Sequence, residues 1–148
     1  MAFNAPSLKG RALRLLSQRE HSRAELERKL KKYEDVLGTL AAALDELAEK
    51  DFISEPRVVE SVLNHRSPRL GAMRIRQELQ QKGIAPDAIV QAVAQLQGTE
   101  LERATALWQR RFETPNDAKE RAKQTRFLMS RGFSGGVAAK VLKGNPDE

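Results

Sequence analysis

The sequence predicts an all-α protein made of three tandem three-helix repeats stacked against one another, and three observations point there. Leu30, Leu79 and Leu128 recur at a spacing of 49 residues, followed by Leu40/Ile89/Ala138, Ala41/Val90/Ala139, Ala43/Ala92/Val141 and Leu44/Val93/Leu142. With 40% of the residues apolar, chance would supply about one such triple in positions 30 to 44, where five occur. Charged residues make up 31% and aromatics 5% of the 148 residues, a composition of solvated amphipathic helices joined by small aliphatic seams. Each unit of about 49 residues is too small to bury a robust core alone, so the units should stack. The repeats are placed at 1–53, 54–98 and 99–148.

In the first repeat a short helix starts near Lys9 and turns Leu13, Leu16 and Leu15 inward. Gln18 to His21 form a turn, and Ser22-Arg-Ala-Glu25 has the spacing of a capping box, in which Ser22 and Glu25 each satisfy an unpaired amide. A second helix from Arg23 to about Tyr33 buries Leu26, Leu30 and part of Tyr33; a third, past Gly38, buries Leu40, Leu44 and Leu47 and ends near Lys50. Ser54 and Pro56 restart the pattern, since proline in a first turn has no donor to lose. Val58, Val59, Val62 and Leu63 face inward, Ser67-Pro68 stops that helix, and the next runs from about Gly71 to Lys82 around Ile75 and Leu79. Gly83 supplies a left-handed closing residue, with Ile84 folding back onto Leu79. In the third repeat a helix carries Leu101, Ala104, Leu107 and Trp108 to about Phe112, and Thr114 to Asp117 turn. Another helix spans Ala118 to Arg131, and Gly132 with Phe133 repeats the Gly83 and Ile84 cap at the same offset. The last helix ends at Lys143, and Gly144 to Glu148 are expected to fray.

Several kinds of chemistry have no support. The absence of cysteine excludes disulfides, thiol nucleophiles and cysteine-held zinc, and suits a reducing cytoplasm. The start lacks a basic segment followed by an apolar run, and no apolar stretch approaches the roughly 20 residues of a membrane span, so a soluble, unexported protein is expected. His21 and His65 have no metal-binding spacing and read as helix-terminal or surface residues. No phosphate-binding glycine loop or nucleophile elbow occurs, and acidic pairs such as Glu25 with Glu27 read as solvated helical faces. No catalytic, cofactor or metal residue is assigned.

The suggestive chemistry is basic. The net charge of +6 is uneven: residues 1–32 carry +6, residues 33–55 carry −6, and the two remaining stretches carry +3 each. Arg66, Arg69, Arg74 and Arg76 form one cluster, with Ile75 pointing away from its two neighbours. Arg110, Arg111, Lys119, Arg121, Lys123, Arg126 and Arg131 form another. Guanidinium groups hold phosphate or carboxylate in a bidentate fashion, so Arg66, Arg69, Arg74, Arg76, Lys82, Arg110, Arg111, Arg126 and Arg131 are the candidate contacts to nucleic acid or to an acidic protein groove. The aromatic residues sit at periodic or capping positions, which argues for core packing over base stacking. A helix-turn-helix use of one three-helix unit on duplex DNA stays open, the Arg11 to Tyr33 segment having suitable lengths.

Three stretches, Leu15-Leu-Ser-Gln-Arg-Glu-His-Ser-Arg-Ala-Glu-Leu-Glu-Arg-Lys-Leu30, Met73-Arg-Ile-Arg-Gln-Glu-Leu-Gln-Gln-Lys-Gly-Ile84 and Arg126-Phe-Leu-Met-Ser-Arg-Gly-Phe-Ser134 with Val141-Leu142, resemble the signature segments of bacterial RecX proteins in order and spacing. The resemblance implies a cytoplasmic, monomeric regulator that binds the RecA recombinase and its filament on single-stranded DNA. It further implies suppression of ATP hydrolysis, strand exchange and co-protease activity by an elongated, curved stack of three-helix repeats lying along the filament groove. Direct contact with single- or double-stranded DNA, independent of sequence, would fit the basic charge. The family's acidic Asp-Asp-x-Arg-Phe-like linker between the first two repeats departs here to Lys50-Asp-Phe-Ile-Ser-Glu-Pro-Arg-Val-Val59.

Overall fold

The computed structural model describes residues 5–144, and within them every regular element is helical. In chain order these are α1 (Leu8–Gln18), α2 (Arg23–Leu30), a 3-10 turn (Lys31–Tyr33), α3 (Thr39–Glu49), α4 (Glu55–Arg66), α5 (Ala72–Gln81), α6 (Pro86–Gln97), α7 (Glu100–Arg111), α8 (Ala118–Ser130) and α9 (Gly135–Lys143). The expectation of fraying beyond Gly144 concerns residues outside those described. The chain gathers into two compact units, one reaching through Ser61 and including Gln81–Ile84, the other made of Val62–Gln80 and the chain from Ala85.

Helices of 8 to 13 residues are too short to persist alone in water, so each depends on its ends and on one buried stripe. The capping box is present in full: Ser22 Oγ accepts from the Glu25 amide, and Glu25 accepts from the Ser22 amide. Ser7 caps α1, Asp117 caps α8 and Ser134 caps α9 in the same way, each accepting from the amide three residues on. In the first unit α1, α2 and α3 bury Ala12, Leu26, Leu30, Leu40, Leu44 and Leu47 together, with Leu8, Leu13, Leu15, Leu16 and Ile53 packed around them. In the second, α7, α8 and α9 bury Ala104, Leu128, Phe133, Ala138 and Val141, flanked by Leu107, Trp108, Phe127 and Val137.

The repeat is visible in burial. Leu30, Leu79 and Leu128 are all at most 2% exposed, and Leu40, Ile89 and Ala138 are all buried. Ala41, Val90 and Ala139 recur on the outside instead, Val90 at 67% exposure, so that apolar match reflects no shared core. Two positions depart from the expected helices. The second helix tightens into the 3-10 turn after Leu30, leaving Tyr33 40% exposed under the Arg11 guanidinium, 3.7 Å from the ring centroid. The second helices also do not all keep the 49-residue register: α5 (Ala72) starts 49 residues after α2 (Arg23), but α8 (Ala118) starts only 46 after α5.

The two glycine caps are docking points as well as turns. Gly83 (φ +73°) and Gly132 (φ +95°) are both left-handed, a conformation that side chains other than glycine's resist. A Cβ on Gly83 would stand 2.8 Å from the Ala24 Cβ, and one on Gly132 would meet the Arg74 amide at 2.7 Å. Each cap thus abuts the first turn of an earlier second helix, Gly83 that of α2 and Gly132 that of α5. The Phe133 amide donates to the Leu128 carbonyl at 3.2 Å, closing α8 as a Schellman motif does.

Two stability measurements follow. Leu79→Ala, at a side chain with no exposure, should cost about 2 to 5 kcal/mol, read as a lowered urea midpoint. Gly132→Ala should lower it as well, through the positive φ and the Arg74 backbone together; a midpoint matching the wild type would mean that this cap does not hold α5.

Candidate binding surfaces

Eight of the nine candidate cations lie in the second unit, and their surroundings differ. Arg66 Nε donates to Glu78 Oε1 at 2.9 Å, an ion pair whose guanidinium is still 43% exposed. Arg74 donates to the Ser130 carbonyl at 2.7 Å, and Arg110 to the Pro68 carbonyl at 3.1 Å. Arg111 and Arg131 stack over Phe127 at 4.6 and 4.9 Å, and Phe127 meets Phe112 edge-on with centroids 5.2 Å apart. Arg69, Arg76 and Arg126 are exposed and make no ion pair with any described residue. These three are the candidates of the unit most open to an outside anion, whereas Arg74 and Arg110 already close helix and loop carbonyls.

Lys82 belongs to the first unit and is 15% exposed, with its ammonium 3.0 Å from Glu25 Oε1. Arg19 holds the other carboxylate oxygen at 2.7 Å. Glu25 is therefore a buried junction of one cap and two cations, not the solvated face that its sequence context suggests. Burial would raise the pKa of this carboxyl, but the Arg19 guanidinium, the Ser22 amide and the Lys82 ammonium outweigh it and hold it at about 2, below the ordinary 4.5. His21, expected at a surface or helix end, is 1% exposed. Its Nδ1 lies 3.0 Å from the Arg19 carbonyl and its Nε2 3.2 Å from Lys29 Nζ, an arrangement that suits a neutral ring donating to the carbonyl and accepting from the ammonium. Burial lowers its pKa, against the opposing hydrogen bond to the Arg19 carbonyl and with help from the nearby positive charges of Arg19 and Lys29. His65 is exposed near the end of α4.

The departed linker is held by Arg57. Its guanidinium reaches Glu20 at 2.9 Å, the Asp51 carboxylate at 3.0 Å and the Asp51 carbonyl at 2.6 Å, while Asp51 sits at φ +65°. Arg103, absent from the expected contacts, proves the most connected cation of the second unit. It donates to the carbonyls of Ser67, Leu70 and Leu96 and to Glu100 at 2.6 Å, and Glu100 in turn accepts the Ala72 amide at 3.0 Å. Gln124, also buried, accepts from the Trp108 indole at 2.7 Å and donates to the Glu113 carbonyl at 3.0 Å. The only signal in the sequence that could have found these residues is a polar side chain at an inward helical position.

Among the described residues there is no group of three or more acidic or histidine side chains placed to hold a metal ion, and no helix long and apolar enough to cross a membrane. What the fold and surfaces define is an all-helical protein of three-helix units whose outward chemistry is basic. The model of the third three-helix domain of RecX matches residues 99–142, and that of the second matches residues 54–93. Regulatory protein RecX of Leptothrix cholodnii is 53% identical over 97% of this chain and 93% of its own length, and that of Ralstonia nicotianae 46% over 93% and 87%. The crystal structure of RecX from Lactobacillus salivarius superposes with a TM-score of 0.75 at 22% identity, covering 92% of each chain; another regulatory protein RecX gives 0.78 at 24%, over 93% of this chain and 72% of that one. The chain belongs to the RecX family of regulatory proteins.

The Glu25 junction gives a pH test whose sign is fixed. A carboxyl whose folded pKa of about 2 lies below its ordinary 4.5 adds stability that is complete above pH 4.5 and fades as pH falls toward 2. Glu25→Gln should therefore be less stable than wild type at pH 7, by about 1 to 3 kcal/mol for a weakened buried ionic hydrogen bond, and the gap should narrow below pH 4.5. Urea midpoints of both proteins from pH 7 to pH 3 would show a constant gap if the carboxylate carried no such load.

Proposed function

We propose that this protein modulates the RecA recombinase, mainly as an inhibitor, by lying along the groove of the RecA filament on single-stranded DNA and lowering its ATP hydrolysis, strand exchange and co-protease activity. The observation that carries this reading is membership of the regulatory RecX family along nearly the whole chain, 53% identical to one member. It acts by binding in place of catalysis, as a cytoplasmic monomer, through three repeats at 1–53, 54–98 and 99–148. The exposed arginines of the second unit supply the chemistry: Arg69, Arg76 and Arg126 are without carboxylate partners among the described residues, so an acidic rim on a partner costs them no internal ion pair.

The deciding experiment adds the protein to RecA on single-stranded DNA and follows ATP hydrolysis. Inhibition at near-stoichiometric amounts is expected, and an unchanged rate with unchanged filament stability would reject the reading. Arg69→Glu with Arg76→Glu should raise the amount needed for half-inhibition roughly fivefold, as loss of rim charges does. Its circular dichroism should match the wild type, since neither side chain bonds within the protein; full inhibition by this variant would take those arginines out of the contact.

A further inference from the structure

The first unit contains a second basic feature that the arginine clusters do not include. A cleft of about 430 Å³ opens between α1 and the end of α2, and Arg11, Arg14, Arg28, Lys29 and Lys32 line it together with Tyr33. Among the described residues no carboxylate lines it. Elsewhere in the unit most of the cations are paired. Lys9, Arg19, Arg23, Lys50, Arg57 and Lys82 each hold a carboxylate at 3.1 Å or less, and between them they occupy Glu20, Glu25, Glu27, Asp45, Glu46 and Asp51. Among the described cations of the unit this leaves Arg11, Arg14, Arg28, Lys29, Lys31 and Lys32 without a carboxylate, and all of these except Lys31 face the one cleft. Arg28 donates to the Gln81 carbonyl at 2.9 Å and Lys29 bonds His21 Nε2 at 3.2 Å, but neither partner is negatively charged, so the five like charges of the cleft have no counter-charge among the described residues.

The repeat does not impose this. Forty-nine residues on, Arg28, Lys29 and Lys32 become Gln77, Glu78 and Gln81, while the buried Leu30 stays Leu79. Packing thus accounts for the leucine and not for the cations. Tyr33 orders the cleft instead of filling it: Arg11 stacks 3.7 Å over the ring and the Lys32 ammonium stands 5.2 Å from its centroid.

We infer that this cleft is a binding site for the sugar-phosphate backbone of single-stranded nucleic acid, used by the protein on its own. Closely spaced phosphates match five cations better than the scattered carboxylates of a protein surface do, and a flexible strand can bend into a concavity whose rim alone a rigid duplex would meet. With the tyrosine face taken by Arg11, recognition is of backbone charge, and the sequence of the strand should not matter.

The test is fluorescence anisotropy of a labelled oligothymidylate with the full chain and no RecA present, so that its outcome is separate from that of the filament assay. The wild type should bind, with oligothymidylate and oligoadenylate equivalent and affinity falling as salt rises. Arg14→Glu with Lys32→Glu should weaken binding about tenfold and make the log–log salt dependence shallower by about 1.4, the value for two lost single-strand phosphate contacts. Lys140→Glu with Lys143→Glu, the same charge change on α9 in the other unit, should leave affinity within about twofold at moderate salt. Circular dichroism confirms that both variants fold. Equal weakening by the two variants, no binding by the wild type, or competition by duplex or by polyglutamate as effective as by single strand would each overturn the assignment.

Discussion

Helices of 8 to 13 residues set the terms for everything else in this protein. Each leaves four amides and four carbonyls without helical partners, and in so small a body many of these ends lie close to the core. Five helix starts are closed by serine or aspartate side chains, Ser54 among them. The carbonyl ends fall mostly to arginine, whose planar fork reaches several acceptors from one stem. Arg103 gathers the carbonyls before α5 and at the end of α6 while its partner Glu100 covers the first amide of α5, so that one ion pair closes ends from two helices. Glu25 does the converse in the first unit, where one carboxylate closes a helix start and pairs with both Arg19 and Lys82.

This requirement divides the basic residues into two populations that composition cannot separate. A net charge of +6 invites the idea of a uniformly positive binding protein. Many of the arginines are in fact structural: Arg28, Arg57, Arg74, Arg103 and Arg110 all donate to backbone carbonyls distant in sequence or across a turn. Removing one of these uncovers a carbonyl, whereas removing Arg69 or Arg76 removes only a charge facing water. Since acids are fewer than cations, a surplus of positive charge is left on the surfaces where no carboxylate is near. The exposed arginines of the second unit and the cleft of the first are both such places.

The same distinction explains how far the sequence could be read. Periodicity and caps depend on residues near each other in the chain, so the order of the helices, Ser22 with Glu25 and the left-handed Gly83 and Gly132 were all legible. Burial of Leu26, Leu30, Leu79 and Leu128 followed from the same spacing. The roles of Lys82, Arg103 and His21 were not, because their partners lie across the fold or are backbone groups, which no side-chain pattern advertises. Val90 marks the limit from the other side: it matches the repeat as an apolar residue yet faces water, because hydrophobic identity at one position does not state which side of a helix is covered.

One repeat position shows why the family pattern and the binding surface have to be read separately. Tyr33, Lys82 and Arg131 occupy the same place, 49 residues apart, at or just past the end of a second helix. Lys82 and Arg131 each precede a left-handed glycine, whereas Tyr33 ends the 3-10 turn, and the neighbours of the three differ as well. Tyr33 carries Arg11 on its face beside the basic cleft. Lys82 is drawn into the Glu25 carboxylate and nearly leaves the surface. Arg131 lies on Phe127, half-buried. A repeat therefore fixes where a side chain begins, and the local supply of counter-charge decides whether it ends as part of the core, as a rim cation or as an organiser of a site.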